Sequence, residues 1–150
     1  MHLLSTFTSM NITFFDPDLH TEGTVQLWQE VFGYTDARND PQLAIDKKVA
    51  VNDDLFFVAL ENDRVIGTIM AGYDGHRGWL YSLAVSPDFL KQGTGTHLVQ
   101  QAEQALIKLG CHKINLQTLE SNQEVLQFYQ KCGYQVEPRI NMGKTIPENI

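Results

Sequence analysis

Two glycines two positions apart, Gly93 and Gly95, stand in the stretch KQGTGTH, between the apolar run WLYSLAVS (Trp79 to Ser86) and a helix-like pattern. Glycine lets a backbone approach a ligand closely and adopt positive φ. A helix beginning just after such a corner points its free N–H groups, and the positive end of its dipole, toward whatever occupies it. That arrangement can hold a phosphate or pyrophosphate without a basic side chain. It can equally be a plain strand-to-helix turn, and the glycines alone leave both readings open. Two better-known phosphate loops do not fit. No Lys follows either glycine, as a Walker loop requires. The third position of a dinucleotide fingerprint is Leu98, and the strands before it read as hairpin-linked.

A second cluster of reactive side chains lies in NQEVLQFYQKCGY (Asn122 to Tyr134). Asn122 has the chemistry of a helix N-cap, and Tyr129 offers a phenol that can donate a proton or pack as an amphipathic ring. The two cysteines, Cys111 and Cys132, are candidate nucleophiles by type. Cys111 follows a helix end, where the dipole disfavours a thiolate, and Cys132 stands late in a helix, so both read as packing residues. No C-x-x-C occurs, and two thiols make no disulfide framework, which suits a reducing, cytoplasmic setting.

These groups need elements to position them. NITFF (Asn11 to Phe15) reads as a strand, Leu19 to Phe32 as a helix, and Asp40 to Val51 as a second helix with Asp at the N-cap and Pro at the first position. LFFVAL (Leu55 to Leu60) and VIGTIMAGY (Val65 to Tyr73) form a hairpin across a four-residue turn, ENDR. DGHRG (Asp74 to Gly78) is a second polar turn leading into Trp79 to Ser86. Strands this apolar are covered on both faces. Leu98, Val99, Ala102, Ala105, Leu106 and Leu109 give the helix from Thr94 a wide apolar stripe, and Gly110 stops it. KINLQTL (Lys113 to Leu119) alternates as a strand, Asn122 to Cys132 is helical, and YQVEP and INMGKTI read as short final strands. The order β-α-α-β-β-β-α-β-α-β-β predicts an α+β fold, a mixed and mostly antiparallel sheet with helices on both faces.

At 150 residues, 43% apolar and 19% charged, the chain suits one globular domain. Residues 1–10 read as an N-terminal extension without signal-peptide character, and residues 11–150 as the domain. A net charge of −7, from 11 basic and 18 acidic side chains, repels nucleic acid on average and mildly attracts an amine. No apolar run approaches the roughly 18 residues of a membrane span. No metal site is apparent, and a homodimer is compatible with a sequence that does not specify oligomeric state.

The glycine corner and the Asn122–Tyr134 segment, in this order and spacing, resemble the GNAT superfamily of N-acetyltransferases. LKQGTG is similar to that family's acetyl-CoA motif, [QR]-x-x-G-x-[GA], and departs from it at Leu90 and Lys91. The later segment matches N-x-x-[AV]-x-x-[FL]-Y-x-K-x-G-[FY] at every specified position. GYDGHRG further resembles small bacterial acetyltransferases of the YpeA type. The resemblance implies an acyl-CoA N-acyltransferase fold with acetyl-CoA as co-substrate. Its pantetheine would lie near Leu83 and Val85 like an added strand, with the Val85 N–H facing the thioester oxygen. Its pyrophosphate would rest on the N–H groups of Gln92, Gly93, Thr94, Gly95 and Thr96. Tyr129 would serve the departing thiolate, and Asn122 would touch the pantetheine side. The acceptor would be a primary amine of a small molecule or protein, attacking directly. Asp74, His76 and Arg77 are candidate acceptor residues or a polar hairpin turn. Tyr81 and Gln117 are further candidates on the strands, and no general base stands out. A non-catalytic acyl-CoA sensor with the same fold is the alternative.

Overall fold

The computed structural model describes residues 10–33 and 40–147, so most of the expected N-terminal extension lies outside the described residues. Five strands form one sheet in the order β1-β2-β3-β4-β5: β1 (Asn11–Phe14), β2 (Phe56–Glu61), β3 (Arg64–Tyr73), β4 (Gly78–Val85) and β5 (Ile114–Leu116). The first four pair antiparallel, and β4 pairs parallel with β5. The sheet is therefore mixed and mostly antiparallel, as the element order predicts.

Helix α1 (Pro17–Phe32) starts on Asp16, whose carboxylate accepts from the N–H groups of Asp18 and Leu19, and stops at Gly33 in the left-handed region. Helix α2 (Pro41–Val51) starts on Asp40, which accepts from Gln42 N–H, and stops at Asn52 with φ 56°. Both starts place Pro at the first helical turn, where its missing N–H costs nothing. Helix α3 (Thr94–Lys108) ends before Gly110, whose φ is 94°.

Adjacent residues of β3 show which helix covers which face, because neighbouring side chains on a strand point oppositely. The Thr68 hydroxyl accepts from Trp28 Nε1 of α1 at 2.8 Å. At Gly67 a Cβ would stand 2.8 Å from Leu98 Cδ1 of α3. The α1–α2 face is filled by Leu27, Trp28, Ile45, Phe56, Val58 and Met70, and α3 presents Leu98, Val99, Ala102 and Leu106, all buried. Within the α1–α2 face Phe56 stacks on Phe15 at 4.1 Å and lies 6.1 Å from Trp28.

Three expectations change. The β2–β3 turn has two residues rather than four, because Asn62 and Asp63 take positive φ (49° and 68°) and let the ladder continue to Glu61 opposite Arg64. The strand expected over Lys113 to Leu119 is three residues long. It pairs only opposite Gly78, Trp79 and Leu80. The two final strands are absent: residues 134–147 hold no strand, and Val136, Ile140, Met142 and Ile146 are exposed. An alternating pattern becomes a strand only where a neighbour supplies the ladder, and Pro138 has no N–H to offer one.

The chain divides into two compact units, Met1–Gln117 and Thr118–Ile150. The first carries the sheet and α1 to α3. The second carries α4 (Gln123–Lys131). No helix among the described residues is long and apolar enough to cross a membrane.

His20 of α1 is buried, and its Nδ1 accepts the Asp16 N–H at 2.9 Å, which requires a ring without a proton at that nitrogen. Burial lowers its pKa below the ordinary 6.5, with Asp16 and Asp63 opposing the shift. The unfolded chain therefore takes up this proton first as pH falls. The stability that the neutral ring contributes is present above pH 6.5 and is lost as pH drops below it. Thermal unfolding between pH 7 and pH 5 should show a larger loss of Tm for the native protein than for His20→Gln.

Candidate active site

Strand β4 changes character halfway along. Its pairing with β5 ends at Leu80 opposite Leu116, yet β4 runs on to Val85. On the other side, Ala84 faces Thr68 and Tyr81 faces Met70, so Ile69 alone stands opposite both Ser82 and Leu83. This is a β-bulge, and Ser82 adopts φ 54° to make it. The extra residue turns the second half of β4 away from β5, which explains why β5 stops where it does.

The bulge also decides where the Val85 amide points. Residues along an antiparallel pair alternate between bonded and non-bonded partners. Ser86 N–H bonds the Ile66 carbonyl at 2.8 Å, so Val85, opposite Gly67, is in a non-bonded pair. Its N–H and C=O are directed away from β3, toward the edge that β5 has left. A buried relay holds the distortion: Trp28 Nε1 donates to the Thr68 hydroxyl at 2.8 Å, and that hydroxyl donates to the Ser82 carbonyl at 2.9 Å.

Beyond Val85 the chain makes one 3-10 turn, Pro87–Phe89, closed by Phe89 N–H on the Ser86 carbonyl at 2.8 Å. Lys91 and Gly93 then take positive φ, 63° and 85°, and α3 begins. Its first intrahelical bond is His97 N–H to the Gly93 carbonyl at 3.0 Å, and no side chain caps the start. The amides of Gly93, Thr94, Gly95 and Thr96 therefore form an open first turn. Thr94 is buried against Gly67, so its methyl packs while its amide stays in the turn. Gln92, Thr96 and His97 are exposed. Where the family pattern has Gln or Arg, Leu90 is exposed, and the next residue, Lys91, supplies a left-handed backbone instead. Val85 and this turn are brought together by the short path through the 3-10 turn.

The acceptor candidates sort differently. Asp74 Oδ1 accepts from the N–H groups of His76 (2.8 Å) and Arg77 (2.7 Å), and these bonds hold its carboxyl below the usual range. That carboxylate builds the β3–β4 turn, and a base of lowered pKa is a poor proton acceptor. Gln117 falls just past β5 instead of on it. Tyr81 lies on the α1–α2 face of β4 beside Lys48, a residue that the sequence reading misses. Lys48 is buried on the stripe Pro41–Ile45–Lys48 of α2. Its Nζ donates to Asp53 Oδ2 (2.8 Å), the Ala71 carbonyl (2.5 Å) and the Tyr81 hydroxyl (3.2 Å). The helical spacing of Lys48 to Ile45 and Pro41 was the one available signal.

In the second unit, Asn122 Oδ1 accepts the Val125 N–H at 3.2 Å, capping α4 as expected. Tyr129 is buried, in edge contact with Phe128 and Tyr134 at centroid distances of 5.2 and 5.7 Å. Burial, with a smaller contribution from Cys132, pushes its phenol well above the ordinary value of 10. The ring therefore keeps its proton throughout the neutral range. Cys111 is buried, its thiol set on the Lys113 carbonyl at 3.3 Å, which is the packing role expected. Among the described residues no group of three His, Cys, Asp or Glu could hold a metal ion.

Thr68→Val keeps the side-chain shape and removes both bonds of the relay. It should cost about 1–3 kcal/mol in urea unfolding, from the indole N–H left unpaired. A larger loss of activity than of folded protein would show that the bulge geometry itself matters.

Residues 21–134 match the acetyltransferase (GNAT) family. An acetyltransferase of Pectobacterium atrosepticum is 38% identical over 128 residues, covering 85% of this chain and 90% of that protein. Among solved structures, a PaiA N-acetyltransferase from Thermoplasma acidophilum in complex with coenzyme A superposes with a TM-score of 0.72 at 20% identity, over 88% of this chain and 93% of that one. Glucosamine-6-phosphate N-acetyltransferase from Arabidopsis thaliana superposes with a TM-score of 0.70 at 19% identity, over 93% and 99%. At these identities the structures speak to the fold. With the family match and the curated relative, the conclusion is direct: the chain belongs to the acetyltransferase (GNAT) family and is an acetyl-CoA-dependent N-acetyltransferase.

Proposed function

We propose that the protein moves an acetyl group from acetyl-CoA to a primary amine of a small molecule or protein, by direct attack of the amine within a ternary complex. Residues 11–150 act in this reading as one N-acetyltransferase domain. The observation that carries it is the pairing of an outward-turned Val85 amide with an uncapped helix start a few residues later. A thioester attached to a pyrophosphate needs both: a donor for the carbonyl oxygen and a cradle for the anion.

The residues fit the group. Gln92, Gly93, Thr94, Gly95 and Thr96 would hold the pyrophosphate through their amides, with the dipole of α3 adding to them. A Cβ on Gly93 would meet the His97 ring at 3.6 Å, and the φ of 85° strains any other residue there. The backbone near Leu83 and Val85 would pair with the pantetheine as an added strand. Acetyl-CoA supplies the activated carbonyl. Val85 N–H would meet the negative charge that grows on the carbonyl oxygen during attack. Such a backbone cradle also explains how a chain of net charge −7 can hold an anionic co-substrate.

Tyr129, kept protonated by burial, would give its proton to the departing thiolate. Asn122 would cap α4 and touch the pantetheine side. The acceptor amine must arrive without its proton. For a lysine-like amine that costs about 4–5 kcal/mol at pH 7, and for an α-amine about 1 kcal/mol. Proton loss to water needs no single base.

Two variants separate these roles in an assay that follows free thiol release. Gly93→Val should raise the acetyl-CoA KM at least about tenfold, by loss of roughly one hydrogen bond's contribution to a charged group. Tyr129→Phe should leave acetyl-CoA binding unchanged and lower kcat by about 10²-fold. Unchanged kinetics in both would refute the reading.

A further inference from the structure

The buried Lys48 has no part in the reaction described above, and its bonds single out Tyr81. An ammonium is a donor only, so the phenol oxygen of Tyr81 must accept from it. The phenol in turn donates to the Ala71 carbonyl, but that bond is long at 3.4 Å and its acceptor already receives Lys48 at 2.5 Å, so a better-placed acceptor on a ligand can take the phenol proton. The ring lies over β3 at Gly72, where a Cβ would stand 3.1 Å from the Tyr81 hydroxyl oxygen. Lys48 Nζ lies 5.5 Å from the ring centroid. Asp53 balances the buried cation at 2.8 Å. The tyrosine is thus fixed at one end, yet 42% of its surface is exposed. A tyrosine needed only for packing does not require a buried ion pair to aim its hydroxyl.

Its place on the sheet gives it a partner. Tyr81 sits opposite Met70, on the face covered by α1 and α2, whereas the helix start that would hold the pyrophosphate belongs to α3 on the other face. With acetyl-CoA entering from the α3 side, the acceptor must come from the side of Tyr81. The distance then decides the role. Tyr81 is four residues before Val85, about 13 Å along an extended strand and somewhat less across the bulge. That is too far to touch an amine attacking a carbonyl at Val85. It is the right distance for the body of a longer acceptor.

We infer that Tyr81 is an acceptor-binding residue that hydrogen-bonds a polar group about three residue-lengths from the reacting amine, and that Lys48, balanced by Asp53, is the positioning residue that aims it. The inference rests on the acetyl-transfer reading and sharpens it: the acceptor is an extended molecule such as a peptide N-terminus, not a single small amine. Trp79, exposed on the same face, continues the floor beyond Tyr81.

The test uses the full chain and a series of alanine peptide amides with one to five residues, together with a panel of small amines. Each peptide residue adds at most about 3.6 Å of reach. The native protein should show an acceptor KM that falls sharply once the third residue is present. Tyr81→Phe should raise the KM for the longer peptides about tenfold, the worth of one hydrogen bond of about 1.4 kcal/mol, and leave the one-residue amide and acetyl-CoA unaffected. Lys48→Met should reproduce that length-selective loss, and the double variant should be no worse than the worse single one. A general defect of folding would affect all lengths alike, so a length-independent effect, or additive losses, overturns the inference. Equal use of small amines and long peptides by the native protein overturns it while leaving the acetyl-transfer reading intact. Acetyl-CoA binding with transfer to no amine overturns the acetyl-transfer reading and this inference with it.

Discussion

The site hangs on one backbone distortion, the bulge at Ser82 and Leu83. Without the extra residue, β4 would continue beside β5, and the Val85 amide would close a ladder bond. With it, the two parallel strands part after Leu80, and an amide that a sheet would normally consume becomes available to a ligand. A non-glycine residue at φ 54° is held there by the hydroxyl of Thr68 on the Ser82 carbonyl and by the Trp28 indole behind it. Strain of this kind persists where surrounding packing over-determines it. Trp28, Thr68 and the aromatic layer around Phe56 supply that packing.

Strand alternation sets the two faces of the sheet apart. Gly67 lets α3 approach the sheet closely, so the helix start lands beside the end of β4 on one face. Tyr81 and Lys48 stand on the other face, beneath α2. In the proposed reading the two substrates would approach opposite faces of the sheet. A direct transfer between them would need no covalent intermediate on the protein, in keeping with Cys111 being set on the Lys113 carbonyl in the core.

Much of the fold was legible in the chain. The Asp-Pro start of α2, the apolar stripe of α3 and the order of the first nine elements emerged as read, because caps and hydrophobic periodicity are local signals, whereas α1 starts at Pro17, two residues before the expected Leu19. The glycine corner and the Asn122–Tyr134 segment were legible as motifs for the same reason. The turn at Asn62–Asp63, the length of β5 and the final strands were not. Each depends on a partner strand, and a sequence pattern does not say whether that partner continues alongside.

The sequence by itself determined the family, the starts of α2 and α3 and the motifs that carry Gly93, Asn122 and Tyr129, since these rest on residue type and spacing. Tertiary structure alone decided which amides stay unpaired, that Asp74 is used up in its own turn, and that Lys48 is buried against Tyr81. Lys48 stands next to Lys47 in the chain, and only its helical spacing to Ile45 and Pro41 distinguishes it in a linear reading. Only the packing of α2 against β3 directs one ammonium into the protein, where desolvation must be offset by Asp53, the Ala71 carbonyl and the phenol oxygen that it thereby fixes.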